Sequence, residues 1–392
     1  MSHVLTVNAG SSTIKFAVFE DDTCLVSGNA ERIGSAHACL TIAAGEGAAE
    51  RAALPPEGLH DHAGAMAAIL SELGARLGHV RIDAVGHRIV HGGLFYDRPT
   101  GITPEVIARL ESLSPFAPLH QPHNLAGVRA AMAAFPDAMQ MACFDTAFHR
   151  NHPFVNDTFA LPRAYYDKGV RRYGFHGLSY EYISGELARV APLLHAGRVV
   201  VAHLGNGASM CGLLNGRSIA STMGFSALDG LPMGTRSGQI DPGVLLYLLQ
   251  QEGMSGDEIA DLLYRRSGLL GMSGLTNDMR ELEASDRQSA RDAIEYFVFR
   301  IRRELGGLAA ALGGLDALVF CGGIGENSRL VRRRVCVNLD WIGIELDEGR
   351  NAENAFEIST RHSRVRVLVI PTQEDLVIAR AANAMLSRGG AS

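Results

Sequence analysis

The sequence predicts an α/β protein made of two domains with a duplicated architecture. A strand, a polar turn and a second strand occur at residues 4–19 and again at residues 199–216. Other apolar strands end in glycine-rich or polar turns that precede helical patterns, and ligands of α/β folds bind outside such strand ends. A chain of 392 residues is long for one hydrophobic core and suits two domains.

Composition excludes some classes of partner. The chain is 47% apolar and 20% charged, as in ordinary globular proteins, and its net charge of −6 gives no reason to expect nucleic acid or an anionic membrane. Six cysteines without CxxC spacing favour small buried thiols in a reducing compartment. The apolar residues 306–325 are interpreted as a helix end and a strand, and no signal peptide is expected. We therefore expect a cytoplasmic protein.

The repeated units indicate anion-binding turns. Strands at residues 4–7 and 14–19 flank the polar turn 8–12, and Lys15 faces away from its apolar neighbours. In the second unit, Gly205 and Gly207 leave successive backbone N–H groups uncovered, which suits phosphate. A plain hairpin is the competing interpretation of each unit.

In the first half of the chain, residues 36–58 suggest short strands and loops, residues 62–77 a helix and residues 84–90 a strand. His87 and His91 have the spacing of a helical metal pair, but along a strand they lie about 13 Å apart, which disfavours a metal site. Arg88 faces away from both histidines. It is either a surface residue or an anion clamp.

Residues 118–122 suggest a turn, residues 124–135 a helix and residues 140–144 a strand ending at Asp145. A carboxylate there suits catalysis, and a turn cap is the structural alternative. Residues 171–178 place arginines, aromatic residues and His176 before a helix at 179–190. A helix N-terminus beside His176 favours an anion site over a surface histidine.

In the second half, residues 221–242 are too glycine-rich for a helix and too long for a simple connection, which indicates a functional loop around Arg236. Helices are predicted at residues 244–251, 256–264, 275–280, 289–312 and 329–336. A strand at 317–320 enters the glycine-rich segment 321–328, which suggests a nucleotide pocket, although GGxG is a weak signal. A strand at 365–370 precedes a last helix that begins with Glu374 and Asp375.

Eight motifs together resemble those of the acetate kinase family. They occur in order along nearly the whole chain: NAGSSTIK, GHRIVHGG, FDTAFH, RRYGFHG, HLGNGAS, MGTRSG, CGGIGEN and TQED. The resemblance implies the fold shared by sugar kinases, actin and chaperone ATPases, with two duplicated actin-like ATPase (ribonuclease H-like) domains and an interdomain active-site cleft. It implies one domain at 1–148, completed by a helix at about 372–392, and another at 149–371 with the nucleotide site and a homodimer contact.

The resemblance also implies roles for individual residues. Magnesium, or alternatively Mn²⁺, would be held by Asn8 and Glu374. The catalytic cluster would contain Arg88, Asp145, His176 and Arg236. The acyl group would lie beside Arg88 against Val90, Leu119 and Phe175. The ATP or ADP site would comprise Lys15, His203, Leu204, Gly205, Asn206, Gly207, Asp278, Met279, Arg280, Gly322, Gly323, Ile324, Gly325 and Glu326.

The implied reaction is reversible in-line phosphoryl transfer from ATP to acetate, which gives acetyl phosphate and ADP. A carboxylate with a pKa of roughly 4 to 5 is ionised at neutral pH and needs no general base. Two unit charges about 4 Å apart interact by about 4 kcal/mol at an effective dielectric near 20, so cations decide whether two anions can approach. We expect Arg88, His176 and Arg236 around one phosphoryl group, with Arg88 also on the substrate carboxylate. Asp145 would orient an arginine or act through magnesium.

Three residues depart from the family pattern, and two alternatives stay open. Ala227 replaces a common proline beside the acyl pocket, Gln239 a usual aspartate, and Gln373 an Asn or Asp. One methylene changes discrimination by only about 1–3 kcal/mol, so a propionate or butyrate kinase is the nearer alternative. A nucleotide-gated binding module of the same fold is the remote one, and the density of cations argues against it.

Overall fold

The computed structural model describes residues 2–45, 47, 49–52, 59–78, 80–118 and 120–389. The chain divides into two compact units. Unit 1 contains residues 1–148 and 373–392, and unit 2 contains residues 149–372. Each unit has a mixed β-sheet with helices packed on it.

The described part of unit 1 contains an eight-stranded sheet. Its strands are β1 (His3–Ala9), β2 (Thr13–Glu20), β3 (Thr23–Glu31), β4 (Cys39–Ala44), β5 (Glu50–Arg51), β6 (Ala84–Ile89), β7 (Thr100–Gly101) and β8 (Met139–Phe144). They lie in the order β5-β4-β3-β2-β1-β6-β8-β7. β1 pairs antiparallel with β2 and parallel with β6, and β6 pairs parallel with β8. The strands predicted at 4–7, 14–19, 84–90 and 140–144 are therefore confirmed, whereas residues 46, 48 and 53–58 of the predicted strand-and-loop segment 36–58 lie outside the described residues.

The first helices of unit 1 are α1 (His62–Leu77), α2 (Pro104–Glu111) and α3 (Gln121–Ala134). α1 has the predicted bounds, and the side chain of Asp61 caps it by accepting from the N–H of Gly64. α3 begins at Gln121, before the predicted start at residue 124. Pro122 is tolerated there because the first turn of a helix leaves its N–H groups unpaired in any case.

Helices cover both faces of this sheet. Leu5 and Val7 of β1 pack with Ile69 of α1 in one buried cluster. The C-terminal helix (Glu374–Gly389) lies on the other face, where a Cβ on Gly86 would be only 2.3 Å from Cγ2 of Ile378. Side chains alternate along a strand, so Arg88 lies on the same face of β6 as Gly86, beside this helix.

Unit 2 repeats the central part of this topology. Its described strands are β9 (Arg198–Leu204), β10 (Ala208–Leu214), β11 (Arg217–Ser221), β12 (Ala317–Cys321) and β13 (Arg366–Val369), in the order β11-β10-β9-β12-β13. β9, β10 and β11 are antiparallel neighbours, whereas β12 is parallel to both β9 and β13. The strands β3-β2-β1-β6-β8 of unit 1 have the same order of antiparallel and parallel pairings, so the predicted duplicated architecture is confirmed.

The helices described in unit 2 match the prediction only in part. They are α4 (Phe154–Asp157), α5 (Arg163–Asp167), α6 (Gly177–Val190), α7 (Pro192–His195), α8 (Pro242–Gln250), α9 (Gly256–Arg265), α10 (Gly268–Ser273), α11 (Met279–Glu283), α12 (Gln288–Leu312), α13 (Gly322–Asn327), α14 (Arg329–Cys336) and α15 (Glu348–Ala352). The helix predicted at 275–280 is wrong, because Gly274 ends α10 with a φ of 63° and Asp278 caps α11. The glycine-rich segment after β12, which the sequence associated with a nucleotide pocket, contains the short helix α13.

None of the six cysteines, all of which lie in the described ranges, forms a disulfide bond. Cys143, Cys211, Cys321 and Cys336 are buried as predicted, whereas Cys24 and Cys39 are only partly buried. Burial raises the pKa of Cys211 and of Cys336 to about 12, so both stay protonated. Residues 306–325 form the end of α12 and β12, and none of the helices in the described ranges has the length and hydropathy of a membrane span.

Candidate active site

Arg88 and Asp145 form a bidentate ion pair in unit 1. Arg88 is near the end of β6, Asp145 directly follows β8, and these two strands are parallel neighbours. Nε and Nη2 of Arg88 donate to Oδ1 and Oδ2 of Asp145 at 2.9 and 2.7 Å. The Asp145 side chain is 2% exposed and that of Arg88 is 19% exposed. Arg88 is thus a partly buried, paired cation rather than a surface residue.

Other groups near Arg88 keep its guanidinium charged. Its Nε lies 4.0 Å from Oε2 of Glu374, and its Nη1 donates to Oδ1 of Asn8 at 3.4 Å. Burial lowers the pKa of Arg88, but the charges of Asp145 and Glu374 outweigh burial and raise it above its ordinary value. Burial raises the pKa of Asp375, the next residue of the C-terminal helix, against a hydrogen bond from Thr6.

Asn8 and Glu374, the residues expected to hold magnesium, are both neighbours of Arg88. Their side chains offer the hard oxygen donors that Mg²⁺ prefers. Within the described ranges, no group of three or more His, Cys, Asp and Glu side chains is arranged to hold a metal ion. Two protein oxygens fit a magnesium ion that keeps waters and is bound together with a nucleotide phosphate, not a closed protein cage.

The neighbours of Arg88 along the chain have structural partners. Nε2 of His87 lies 2.8 Å from Oε1 of Gln140, and Nδ1 of His91 accepts from the N–H of Gly93 at 2.9 Å. Val90 is buried, and its N–H donates to Oδ1 of Asn124 at 3.0 Å. Leu119, predicted beside Val90, lies outside the described residues.

Asn124 is a residue that sequence reasoning missed. Its Nδ2 donates to the carbonyl oxygen of Ala9 at 2.6 Å, so one buried amide joins the end of β1 to the segment after β6. The sequence feature that could have indicated this role is an amide side chain near the start of a helix, directly after the predicted turn at 118–122. Lys15, predicted near phosphate, is exposed on β2 directly across from Asn8.

In unit 2, His176 and Arg236 approach the same glycine. A side-chain carbon placed on Gly207, in the turn between β9 and β10, would lie 3.0 Å from Nη2 of Arg236 and 3.2 Å from Nε2 of His176. His176 precedes α6 with a left-handed backbone (φ 57°, ψ 26°), and its Nδ1 lies 2.8 Å from Oγ of Ser209. Its ring stacks on that of His203 with centroids 4.4 Å apart.

Arg236 belongs to the loop from residue 222 to residue 241, which joins β11 to α8. Its Nη1 donates to the carbonyl oxygen of Ala227 at 2.7 Å, so the departure at that position does not remove this contact. Gln239, the second departure, accepts from Nη2 of Arg300 at 2.8 Å. Gln373, the third, directly precedes the C-terminal helix.

The two arginines before Tyr173 do not join His176. Arg171 pairs with Asp157 at 3.2 Å and Arg172 with Asp229 at 3.2 Å. Phe175, predicted to touch the acyl group, is 1% exposed. The cation-rich segment thus contributes His176 to the candidate site and uses its arginines for the fold of unit 2.

A cavity of about 690 Å³ in unit 2 contains much of the predicted nucleotide site. Predicted residues that line it are Gly205, Asn206, Asp278, Met279, Arg280, Gly323 and Ile324. Lining residues that sequence reasoning missed are Asn277 and Glu283, on either side of the predicted segment 278–280, whereas Asn327 and Ser328 belong to the glycine-rich segment 321–328 that it associated with a nucleotide pocket. Hydrogen bonds from Arg280 lower the pKa of Asp278 to about 2 and keep it ionised.

The remaining predicted nucleotide residues do not line this cavity. Lys15 lies in unit 1, and the others, in unit 2, are His203, Leu204, Gly207, Gly322, Gly325 and Glu326. A Cβ on Gly322 would be 2.8 Å from the carbonyl oxygen of Leu204, so only glycine fits there. Glu326 accepts from the N–H groups of Gly322 at 2.8 Å and Thr372 at 3.1 Å, within its own unit. Nδ1 of His203 lies 2.8 Å from Oγ of Ser179.

A duplicated α/β fold with a nucleotide-sized cavity and preorganised cations defines a nucleotide-dependent phosphotransferase. The model of the acetokinase family matches residues 3–380. The chain belongs to this family. Its predicted membership and fold class are thus confirmed.

Similar proteins cover essentially the whole chain. The chain is 57% identical to the acetate kinase of Methylocella silvestris over 401 residues, or 99% of each chain. The crystal structure of Porphyromonas gingivalis acetate kinase superposes with a TM-score of 0.88 at 38% identity, over 98% of this chain and 100% of that one. The crystal structure of a propionate kinase from Francisella tularensis superposes with a TM-score of 0.91 at 35% identity, over 97% of this chain and 99% of that one.

Proposed function

We propose that this protein is an acetate kinase that transfers the γ-phosphoryl group of ATP reversibly to acetate, giving acetyl phosphate and ADP. The observation that carries the proposal is the 57% identity to an acetate kinase along 99% of both chains. The residue types of the site support it, since acetate is already ionised and needs cations rather than a base.

Arg88 binds the substrate carboxylate in this mechanism. Asp145 holds Nε and Nη2 of its guanidinium, so the plane of the cation is set before the substrate arrives. Asp145 is therefore an orienting group and takes no proton.

Arg236 and His176 stabilise the phosphoryl group during transfer. Both approach Gly207, and their cationic or N–H groups suit the negative charge that spreads over the equatorial oxygens. ATP occupies the cavity that Asn206, Asp278 and Gly323 help to line. Asn8 and Glu374 would hold magnesium, which would neutralise phosphate charge when bound.

Trapping of acyl phosphate with hydroxylamine tests the reaction. Purified protein with ATP, magnesium and acetate should give acetyl hydroxamate. Absence of hydroxamate with any short carboxylic acid would instead support the nucleotide-gated binding module.

Propionate is the second candidate substrate, because the propionate kinase has a TM-score of 0.91. Values of kcat/KM for acetate, propionate and butyrate separate the candidates. We expect acetate to have the highest value. A higher value for propionate would transfer the proposal to that acid.

Replacement of Arg236 tests the phosphoryl site. Arg236→Ala should lower kcat by about a thousandfold, because it removes a donor that meets transition-state charge. Arg189→Ala is a control at a side chain that is 71% exposed and should leave kcat unchanged. A near-normal kcat in Arg236→Ala would remove Arg236 from the mechanism.

We also propose a cytoplasmic homodimer. The free thiols fit a reducing compartment. α8 supports a dimer contact, since none of its residues is buried and Leu246 and Tyr247 are 54% and 53% exposed. Sedimentation velocity should show a dimer for the wild type and a shift towards monomer for Leu246→Glu, and a wild-type monomer would refute the contact.

A further inference from the structure

A buried cluster in unit 2 has no role in the mechanism above. It consists of His149, the last residue of the FDTAFH motif, together with Ser218 and His152. Oγ of Ser218 lies 2.7 Å from Nδ1 of His149 and 2.7 Å from Nε2 of His152. His149 and Ser218 are each 2% exposed.

The hydrogen-bond partners assign the protons of this cluster. Nε2 of His149 lies 2.9 Å from the carbonyl oxygen of Phe175, which can only accept, so Nε2 carries the proton. The other nitrogen of the neutral ring then accepts from the hydroxyl of Ser218. That hydroxyl has one proton, so His152 donates to it. Burial first, then His149 and Arg172, lower the pKa of His152 to about 3, and its ring is neutral.

His149 supports the backbone that leads to His176. Its proton is donated to Phe175, the residue directly before His176. Gly174, with a φ of 73°, packs against the same ring, where a Cβ would lie 2.6 Å from Cγ of His149. The imidazole therefore fixes the two residues that precede His176.

The ring of His149 also reaches the side chain of His176 through two groups. It packs edge-on against Tyr180, with ring centroids 5.6 Å apart. The hydroxyl of Tyr180 bonds to Oγ of Ser209, which lies 2.8 Å from Nδ1 of His176. His149 thus contacts both the backbone that precedes His176 and the Tyr180 ring, whose hydroxyl is linked through Ser209 to the His176 side chain.

His176 needs such support because its backbone is left-handed, with a φ of 57°. A residue with a Cβ seldom adopts this region unless its surroundings impose it. In that conformation Nε2 of His176 points to the glycine that Arg236 also approaches. Loss of support would move Nε2 without removing any group that contacts substrate.

We propose that His149, in the tautomer that donates to Phe175 and accepts from Ser218, is a positioning residue that holds His176 in its left-handed conformation for phosphoryl transfer. This inference rests on the proposed function. The competing role of His149 is that of an ordinary core residue, whose loss weakens the fold and leaves His176 unaffected.

Two replacements of His149 distinguish its nitrogens. The amide nitrogen of Gln can occupy the place of Nε2 and keep the donor to Phe175, whereas the shorter Asn loses it. His149→Asn should lower kcat by roughly 10- to 100-fold with KM for ATP and acetate changed less than about threefold, the loss expected of a displacement near 1 Å. His149→Gln should recover most of kcat. Equal kcat in both variants would overturn the proposal.

A double-mutant cycle with His176→Ala gives the decisive readout. If His149 acts through His176, adding His149→Asn to His176→Ala should change kcat by less than about twofold. Multiplied losses would show a core role and overturn the proposal. If His149→Asn does not fold, Ser218→Ala replaces it in the cycle with the same expectation. Failure of the wild type to form hydroxamate would refute the proposed function, whereas multiplied losses in an active enzyme refute this inference alone.

Discussion

Two bidentate arginine–aspartate pairs of unit 1 have similar geometry and different surroundings. Arg88 bonds Asp145 at 2.9 and 2.7 Å, and Arg380 bonds Asp22 at 3.0 and 2.7 Å. Asp145 is 2% exposed, whereas Asp22 is 60% exposed. Water and salt screen the exposed pair, but loss of one partner from the buried pair leaves a charge without compensation. Replacement of Asp145 should therefore reduce stability more than replacement of Asp22.

Asp145→Asn should reduce both stability and catalysis. The guanidinium of Arg88 would lose its bidentate partner and keep Glu374, at 4.0 Å, and Asp375 as negative neighbours, so we expect a loss of about 3 kcal/mol in the free energy of unfolding. We also expect kcat/KM for acetate to fall about 100-fold, because Arg88 is no longer oriented. Urea titration and initial-rate kinetics measure these effects.

Asp22→Asn is the matched control for this prediction. It removes the same charge from the same type of pair at an exposed position, so stability should change by less than about 1 kcal/mol and kinetics should not change. Equal effects of the two substitutions would contradict the importance of burial.

At the scale of elements, the loop at 222–241 is held against the turn between β9 and β10. The N–H of Gly234 donates to the carbonyl oxygen of Asn206 at 2.9 Å. A Cβ on Gly234 would lie only 1.9 Å from Oδ1 of Asn206, which itself accepts from Asn277 at 3.0 Å. This contact joins the loop that carries Arg236 to the lining of the nucleotide cavity.

Gly234→Ala should therefore lower ATP affinity. The added methyl group must displace Asn206, and we expect the Kd for ATP to rise about tenfold, equivalent to about 1.4 kcal/mol. Isothermal titration calorimetry measures this change.

Gly307→Ala provides the same substitution in α12, where the added carbon meets no atom within 4 Å. It should leave ATP affinity unchanged and stabilise the helix by about 0.5–1 kcal/mol. An unchanged Kd in Gly234→Ala would show that the loop contact does not control the cavity.

At the scale of the whole molecule, each unit contains a neutral histidine whose pKa is lowered by burial, so that its ring resists protonation in the folded state. His87 lies in unit 1 and His152 in unit 2. Burial lowers the pKa of His87 from 6.5 to about 4, against a hydrogen bond with Gln140, and lowers that of His152 to about 3. Both rings take up protons more readily in the unfolded chain than in the folded one. Acid should therefore destabilise both units.

The pH dependence of unfolding tests this property. Between pH 6.5 and about 4, the unfolded chain binds the proton that folded His87 excludes, so stability falls as pH falls through this window. His87→Gln should reduce the slope by up to about 1.4 kcal/mol per pH unit. Urea midpoints from pH 7 to pH 4.5 give the slope, and His37→Gln is a control at an exposed position. An unaltered slope in His87→Gln would contradict the prediction.

The sequence by itself determined the central strands of both sheets, most of the longer helices, the glycine turns and the family, because periodicity, turn chemistry and motifs depend on neighbouring residues. It also indicated Asp145 and His176 as candidates from their places at the ends of elements. The helix predicted at 275–280 was wrong because the local chemistry of Gly274 and Asp278 outweighed a weak apolar pattern.

Only the tertiary structure decided which side chains meet. Arg88 and Asp145 are 57 residues apart, and the sequence around either residue does not predict that the two form an ion pair. The same holds for Arg236, which approaches Gly207 although β10, β11 and part of a loop lie between them in the sequence. It also holds for His149, because no local sequence pattern predicts its hydrogen bond to Phe175. These contacts arise from the pairing of distant strands and the path of a long loop, and such pairings depend on the packing of the complete unit.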